Sequence, residues 1–217
     1  MIYSQETAEN IALHLLEIHA IKLSPAKAFT WASGLRSPIY CDNRIALSFP
    51  VIRTYIRQQL VQAATEHFGS VEMISGVATA GIPQGVLMAQ EMGLPFSYVR
   101  STNKNHGLSN QIEGFIRKGE SSLVVEDLVS TGKSSLNAVA ALREAGIEVK
   151  GMVAIFSYNL AVADVNFEKA QCKLLNLSDY DHLIQVALEN NFISQEDLLS
   201  LQAWRKDPEK WSQDYTD

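Results

Sequence analysis

Apolar residues recur at helical spacing near the start of the chain, where Ala8, Ile11, Leu15 and Ile18 follow Ser4, a residue suited to an N-cap. A second helix is expected from Ser48-Phe49-Pro50 onward, with proline in its first turn and Val51, Ile52, Tyr55, Ile56 and Leu60 on its apolar face. Gly69 is its expected terminator. Between these helices, Phe29 to Gly34 and Ser37 to Tyr40 read as turns with short extended pieces. From residue 71 the pattern changes to alternating strands and helices. Strands are expected over Val71–Ser75, Phe96–Arg100, Ser122–Val125, Val149–Phe156 and Lys173–Leu177. Helices are expected over Pro83–Met92, closed by Gly93, and over Ser134–Ala145, ended by Gly146, with Leu136, Val139 and Ala140 inward. Two more fill Tyr180–Asn190 and Ser194–Lys206, with Ser194 as a cap. Short apolar strands alternating with helices predict an α/β fold with a mostly parallel sheet, because parallel strands need crossover connections. Residues 101–113 interrupt the rhythm: a polar stretch with Gly107 stands where a crossover helix is due, as binding loops and lids do.

Composition narrows the classes. The 217 residues fit a single domain with a sizeable core, and 47% apolar content excludes disorder and small disulfide scaffolds. A formal net charge of −6 with no basic stripe argues against nucleic acid as partner. No run approaches the ~18 apolar residues of a membrane span. Cys41 and Cys172 form no C-x-x-C pair and suit reduced residues of a cytoplasmic protein. His14, His19, His67 and His182 fall at no metal-ligand spacing.

The chemistry concentrates in Val124-Val125-Glu126-Asp127-Leu128-Val129-Ser130-Thr131-Gly132-Lys133-Ser134, a buried strand ending in two acids, a small-residue turn and a helix start. Backbone N–H groups of residues 130–134 at a helix N-terminus, with hydroxyls beside them, suit a phosphate monoester. Thr131-Gly132-Lys133-Ser134 ends like a Walker A loop, but that pattern needs its first glycine where Asp127 stands. Adjacent acids at a strand end suit sugar hydroxyls or a hydrated divalent cation better than a nucleotide cradle.

This run resembles the phosphoribosyl-diphosphate (PRPP) signature of type I phosphoribosyltransferases. Two further segments are similar to the orotate branch of that family: Phe29 to Tyr40, and Pro95-Phe96-Ser97-Tyr98-Val99-Arg100 with Lys104-Asn105-His106-Gly107 and Gln111 to Gly114. Gly76 to Pro83 falls at the family's pyrophosphate loop. The resemblance implies a central, mostly parallel sheet flanked by helices, a small N-terminal hood-like subdomain and a mobile catalytic loop. It divides the single domain 1–217 into a base-binding segment 1–45, a PRPP-binding α/β core 46–180, and C-terminal helices and tail 181–217. It implies transfer of ribose 5-phosphate from PRPP to orotate for pyrimidine nucleotide synthesis. The alternative is a purine or another base as acceptor.

By the same resemblance, Lys104 and Asp127 are the catalytic residues. PRPP is held by Arg100, Lys104, His106, Glu126, Asp127, Leu128, Val129, Ser130, Thr131, Gly132, Lys133 and Ser134, and Ser130 also approaches orotate. Mg²⁺ comes with PRPP and water, with no metal ligands assigned on the chain. The family's homodimer shares its sites, the catalytic loop of one subunit reaching into the other's. Lys22 matches a substrate-contacting lysine of some relatives. Ser101 and Thr79-Ala80 stand where many members carry lysine or Tyr-Lys, and no arginine lies near Phe156-Ser157-Tyr158 for the orotate carboxylate. Arg36 and Arg44 are the candidates for that role.

Overall fold

The computed structural model describes residues 1–31, 33–100 and 111–215. Helix α1 (Gln5–Glu17) starts where Ser4 accepts the Thr7 N–H, and buries Ala8, Ile11 and Leu15. Two short antiparallel ribbons follow, interleaved along the chain: β1 (Ile21–Leu23) pairs with β4 (Ile39–Cys41), and β2 (Phe29–Thr30) with β3 (Arg36–Ser37). A 3-10 helix (Asn43–Ser48) leads into α2 (Pro50–Phe68), β5 (Met73–Val77), α3 (Gly81–Met92) and β6 (Phe96–Val99). Then come β7 (Ile112–Glu113), β8 (Ser121–Val129), α4 (Lys133–Glu144), β9 (Glu148–Ser157), α5 (Ala161–Lys169) and β10 (Leu174–Asp179). The chain closes with α6 (Tyr180–Glu189), α7 (Gln195–Lys206) and α8 (Pro208–Asp214).

Among the described residues, six strands form the main sheet in the order β10-β9-β8-β5-β6-β7. All neighbours are parallel except β6 and β7. From β5 the chain winds outward to β6; from β8 it winds the other way, through β9 to β10. The strand order therefore reverses between β5 and β8, and their carboxyl-end loops diverge to open a crevice, the usual ligand position in open α/β sheets. Both faces are covered. Ile11, Leu15, Ile56, Leu60, Met88 and Leu183 pack with Leu123 and Val125 on one side, while Ala138, Val139, Leu142 and Phe167 pack with Val124 and Met152 on the other.

The structure corrects several sequence expectations. Val51 is 81% exposed, and the inward line of α2 is Ile52, Ile56, Leu60, Ala63 and Ala64. Helix α4 buries Ser135, Ala138, Val139 and Leu142, so Ala140 faces outward and Leu136 is only half-buried. Spacing by three and four residues allows both stripes; the sheet selects the one that includes a serine. Strand β8 runs through the acid pair to Val129 instead of ending before it. Helix α3 begins at Gly81, ahead of the expected Pro83. The segment after β6 returns antiparallel as β7, so no crossover helix is required there. Helix α5 had no predicted counterpart: it buries only Ala163 and Phe167, with Val162 and Val165 exposed, which blurs its periodicity.

Candidate active site

Alternation along β8 sets the acid pair. Leu123 and Val125 enter one core cluster and Val124 the other. The next residue on the Val124 side, Glu126, therefore points under α4, where the Ser135 hydroxyl donates to its Oε2 at 2.8 Å. Its Oε1 accepts the Asp127 N–H at 3.0 Å. Burial, then the neighbouring Asp127 charge, raises the Glu126 pKa well above the carboxylate range. Burial also raises Asp127, while its hydrogen bond with Glu126 and the charge of Arg44 oppose the rise.

The backbone at Asp127 is tied to the N-terminal segment. Asn43 Nδ2 donates to the Asp127 carbonyl at 2.7 Å, and Asn43 Oδ1 accepts from the Cys41 thiol at 3.3 Å. Trp31 stacks on Tyr158 with ring centroids 5.4 Å apart, and the Tyr158 N–H binds the Val129 carbonyl at 3.0 Å. The ribbons are thus tied to the carboxyl ends of β8 and β9 as a hood over the crevice. Arg44 lies at this edge, held by Asp42 through bonds of 2.6 and 2.8 Å. Arg36 sits in β3, and Lys22 is exposed on β1.

The loop after β8 is shaped for an anion. Gly132 is the first boundary residue of α4, at φ 77°, and no side chain caps that helix. A Cβ at Gly132 would come within 2.6 Å of the Phe167 ring, so α5 presses on the turn from behind, and Asn166 Nδ2 holds the Thr131 carbonyl at 2.9 Å. Ser130, Thr131, Lys133 and Ser134 are half-buried to exposed, whereas the Val129 side chain belongs to the core and can offer a ligand only backbone. Leu128 is half-buried and also packs inward. Across the switch point, the 78–80 loop precedes α3, likewise without a side-chain cap. A Cβ at Gly81 would lie 2.5 Å from the Val125 carbonyl, so only glycine lets α3 approach β8 this closely. No side chain competes with a bound anion at either helix start.

Arg100 follows β6, with Nε 3.2 Å from Glu113 Oε1 and its N–H on the Gln111 carbonyl. It therefore sits at the end of β6, beside β7. Lys104 and His106, like Ser101, lie outside the described residues. Arg100 follows β6 and the 126–134 run ends β8, on the two sides of β5, while Ser135, Asn43, Tyr158, Asn166 and Phe167 were not among the expected site residues. Ser135 alone carried a signal, its helical spacing from Ala138, Val139 and Leu142.

A model of the phosphoribosyl transferase domain matches residues 48–190. The orotate phosphoribosyltransferase of Porphyromonas gingivalis is 52% identical over 201 residues, covering 93% of this chain and 96% of its own. Among solved structures, Leishmania donovani UMP synthase superposes with TM-score 0.77 at 25% identity, over 91% of this chain and 42% of that longer one. The orotate phosphoribosyltransferase of Aeropyrum pernix shares the fold, with TM-score 0.73 at 24% identity over 85% of this chain and 99% of its own. With a relative sharing half its positions over nearly the full length, and its acid pair and two uncapped helix starts meeting at the switch point of the sheet, the chain belongs to the orotate phosphoribosyltransferase family of type I phosphoribosyltransferases.

Proposed function

We propose that the crevice between β5 and β8 transfers ribose 5-phosphate from PRPP to orotate, releasing pyrophosphate. The observation that carries this is the adjacent, mutually bonded carboxyl pair Glu126–Asp127 near the carboxyl end of β8, shortly before a glycine-started, uncapped helix. The ribose hydroxyls donate to the two carboxylates, and the 5-phosphate lies against residues 130–134 at the start of α4. Pyrophosphate lies across the switch point, between the 78–80 loop and Arg100. This places C1 of the ribose over the crevice, with the hood on the side from which the base arrives.

Breaking the bond between C1 and pyrophosphate builds positive charge on the sugar and negative charge on the leaving group. Asp127 faces the first, while Arg100, Lys104 and His106 stabilise the second. Catalysis is then mainly positioning and electrostatics. Ser130 approaches orotate, whose carboxylate is met from the hood by Arg36 or Arg44. Mg²⁺ would come with PRPP and water and would supply further charge neutralisation, with the Glu126–Asp127 pair as the residues that would hold its water ligands. Among the described residues no group of three or more His, Cys, Asp or Glu could cage a metal, and an acid pair suits a hydrated ion.

In this reading residues 1–45 bind the base, 46–180 bind PRPP, and 181–217 support both. The working unit is a homodimer in which Lys104 and His106 act in the neighbour's site. Free Cys41 and Cys172 suit a reducing cytoplasm, and no described helix is long and apolar enough to cross a membrane. Pyrophosphate release measured with PRPP, Mg²⁺ and single bases is the test. Orotate should turn over; turnover of adenine, guanine or xanthine in its place would overturn the choice of base but not of donor.

A further inference from the structure

The β2–β3 hairpin has two residues per strand, too few to hold its shape alone. Its support comes from the other end of the chain. Ser212 Oγ accepts the Arg36 N–H at 2.8 Å. Tyr215 Oη accepts the Ala28 N–H at 2.9 Å and donates to the Ala26 carbonyl at 2.9 Å. The Arg36 guanidinium lies over the Tyr215 ring, 5.9 Å from its centroid. This segment is itself anchored. Asp207 caps α8, Trp211 Nε1 donates to Ser200 at 3.2 Å, and the Trp211 ring stacks on Tyr215 at 5.0 Å. Trp211 also packs against the main core cluster. Two side chains thus occupy both flanks of the hairpin, and one of them holds the backbone of Arg36 itself.

We propose that residues 207–215 are a strap that sets the hood for the base, with Ser212 and Tyr215 as positioning residues for orotate. The proposal rests on the base-binding role given to the hood above. The strap touches neither β8 nor the 130–134 loop through these bonds, so it acts on the base and not on PRPP. Losing it lets the hairpin sample conformations that misplace Arg36, and the binding-competent fraction falls.

The test uses the full chain with Ser212→Ala, Tyr215→Phe, the double variant and Ser212→Thr. Amide hydrogen exchange at Ala28 and Arg36 is read beside steady-state kinetics. One lost hydrogen bond corresponds to about a fivefold change. The double variant should exchange at least about fivefold faster at both amides and raise the orotate KM about tenfold. The PRPP KM should stay within about twofold, and Ser212→Thr should restore the Ser212 contribution. Unchanged exchange, or equal rises in both KM values, would overturn the strap. Turnover of orotate by the unaltered protein tests the proposed function separately; exchange at the two amides tests the strap whichever way that comes out.

Discussion

Glu126 sits under α4 with its carboxyl bonded by the Ser135 hydroxyl and the Asp127 N–H, and its pKa is raised by burial and by the adjacent acid. A carboxyl whose folded pKa exceeds its unfolded value holds extra protons in the folded state. Stability is therefore lost as pH rises from the ordinary carboxylate range through the raised value. Glu126→Gln removes that titration. Melts of the ligand-free variant should show a flatter pH dependence and a higher Tm than the unaltered protein at pH above the ordinary carboxylate range. The same substitution should raise the PRPP KM at least about tenfold, because a charged acceptor for a ribose hydroxyl is lost. A variant with the wild-type melting slope would place the titration elsewhere. Lys104→Ala should lower kcat by roughly 10²–10³ while PRPP still protects the protein from unfolding, as expected for a group that acts on transition-state charge. Near-normal turnover would remove Lys104 from that role.

At the scale of elements, the N-terminus of α4 is defined as much by its neighbour as by its own residues. Gly132 has φ 77° and its Cα faces the Phe167 ring. Gly132→Ala should cost about 1–3 kcal/mol through backbone strain and the clash together. Activity at limiting PRPP should fall with it. Adding Phe167→Leu should return part of the stability, the share owed to the clash, leaving the share owed to φ. No recovery in denaturant melts of the double variant would mean that α5 does not shape the turn. Cap chemistry made several elements readable in advance: Ser4, Gly69, Gly93 and Ser194 all bound helices where expected, Ser194 within a full capping box. Helix α5 lacks such signals, having no side-chain cap and apolar residues on both sides. The stripe of α4 was misread because Ser135, a polar residue, occupies an inward position that only the buried Glu126 explains.

For the whole molecule, a net charge of −6 must be reconciled with two anionic substrates. In the proposed reading the attraction is local, from two helix starts and from Arg100 and the hood arginines, because like net charge repels at longer range and is screened beyond about 8–10 Å. If Lys104 of one subunit serves the site holding Asp127 of the other, mixing Lys104→Ala with Asp127→Asn protein should give mixed dimers with one intact site each. Activity should then return well above either parent. Confirmed mixed dimers without recovery would show that each subunit completes its own site.

The sequence by itself determined the α/β alternation and the acid pair with its small-residue turn. It also marked the polar interruption after Arg100. Each is a contiguous segment whose meaning lies in local backbone geometry, such as a strand end, a positive-φ glycine or a helix start. Tertiary structure decided what depends on distant parts meeting. The β5–β8 switch point follows from strand order, which periodicity does not encode. The Asn43 bond to the Asp127 carbonyl joins residues 84 positions apart, and the Tyr215 bonds to the hood join residues 187 and 189 apart. Alternation could say that Glu126 and Asp127 point to opposite sides. Only packing could say that Glu126 meets a serine of α4 and that the hood bonds the backbone of Asp127, because such partners are set by which elements the sheet brings together.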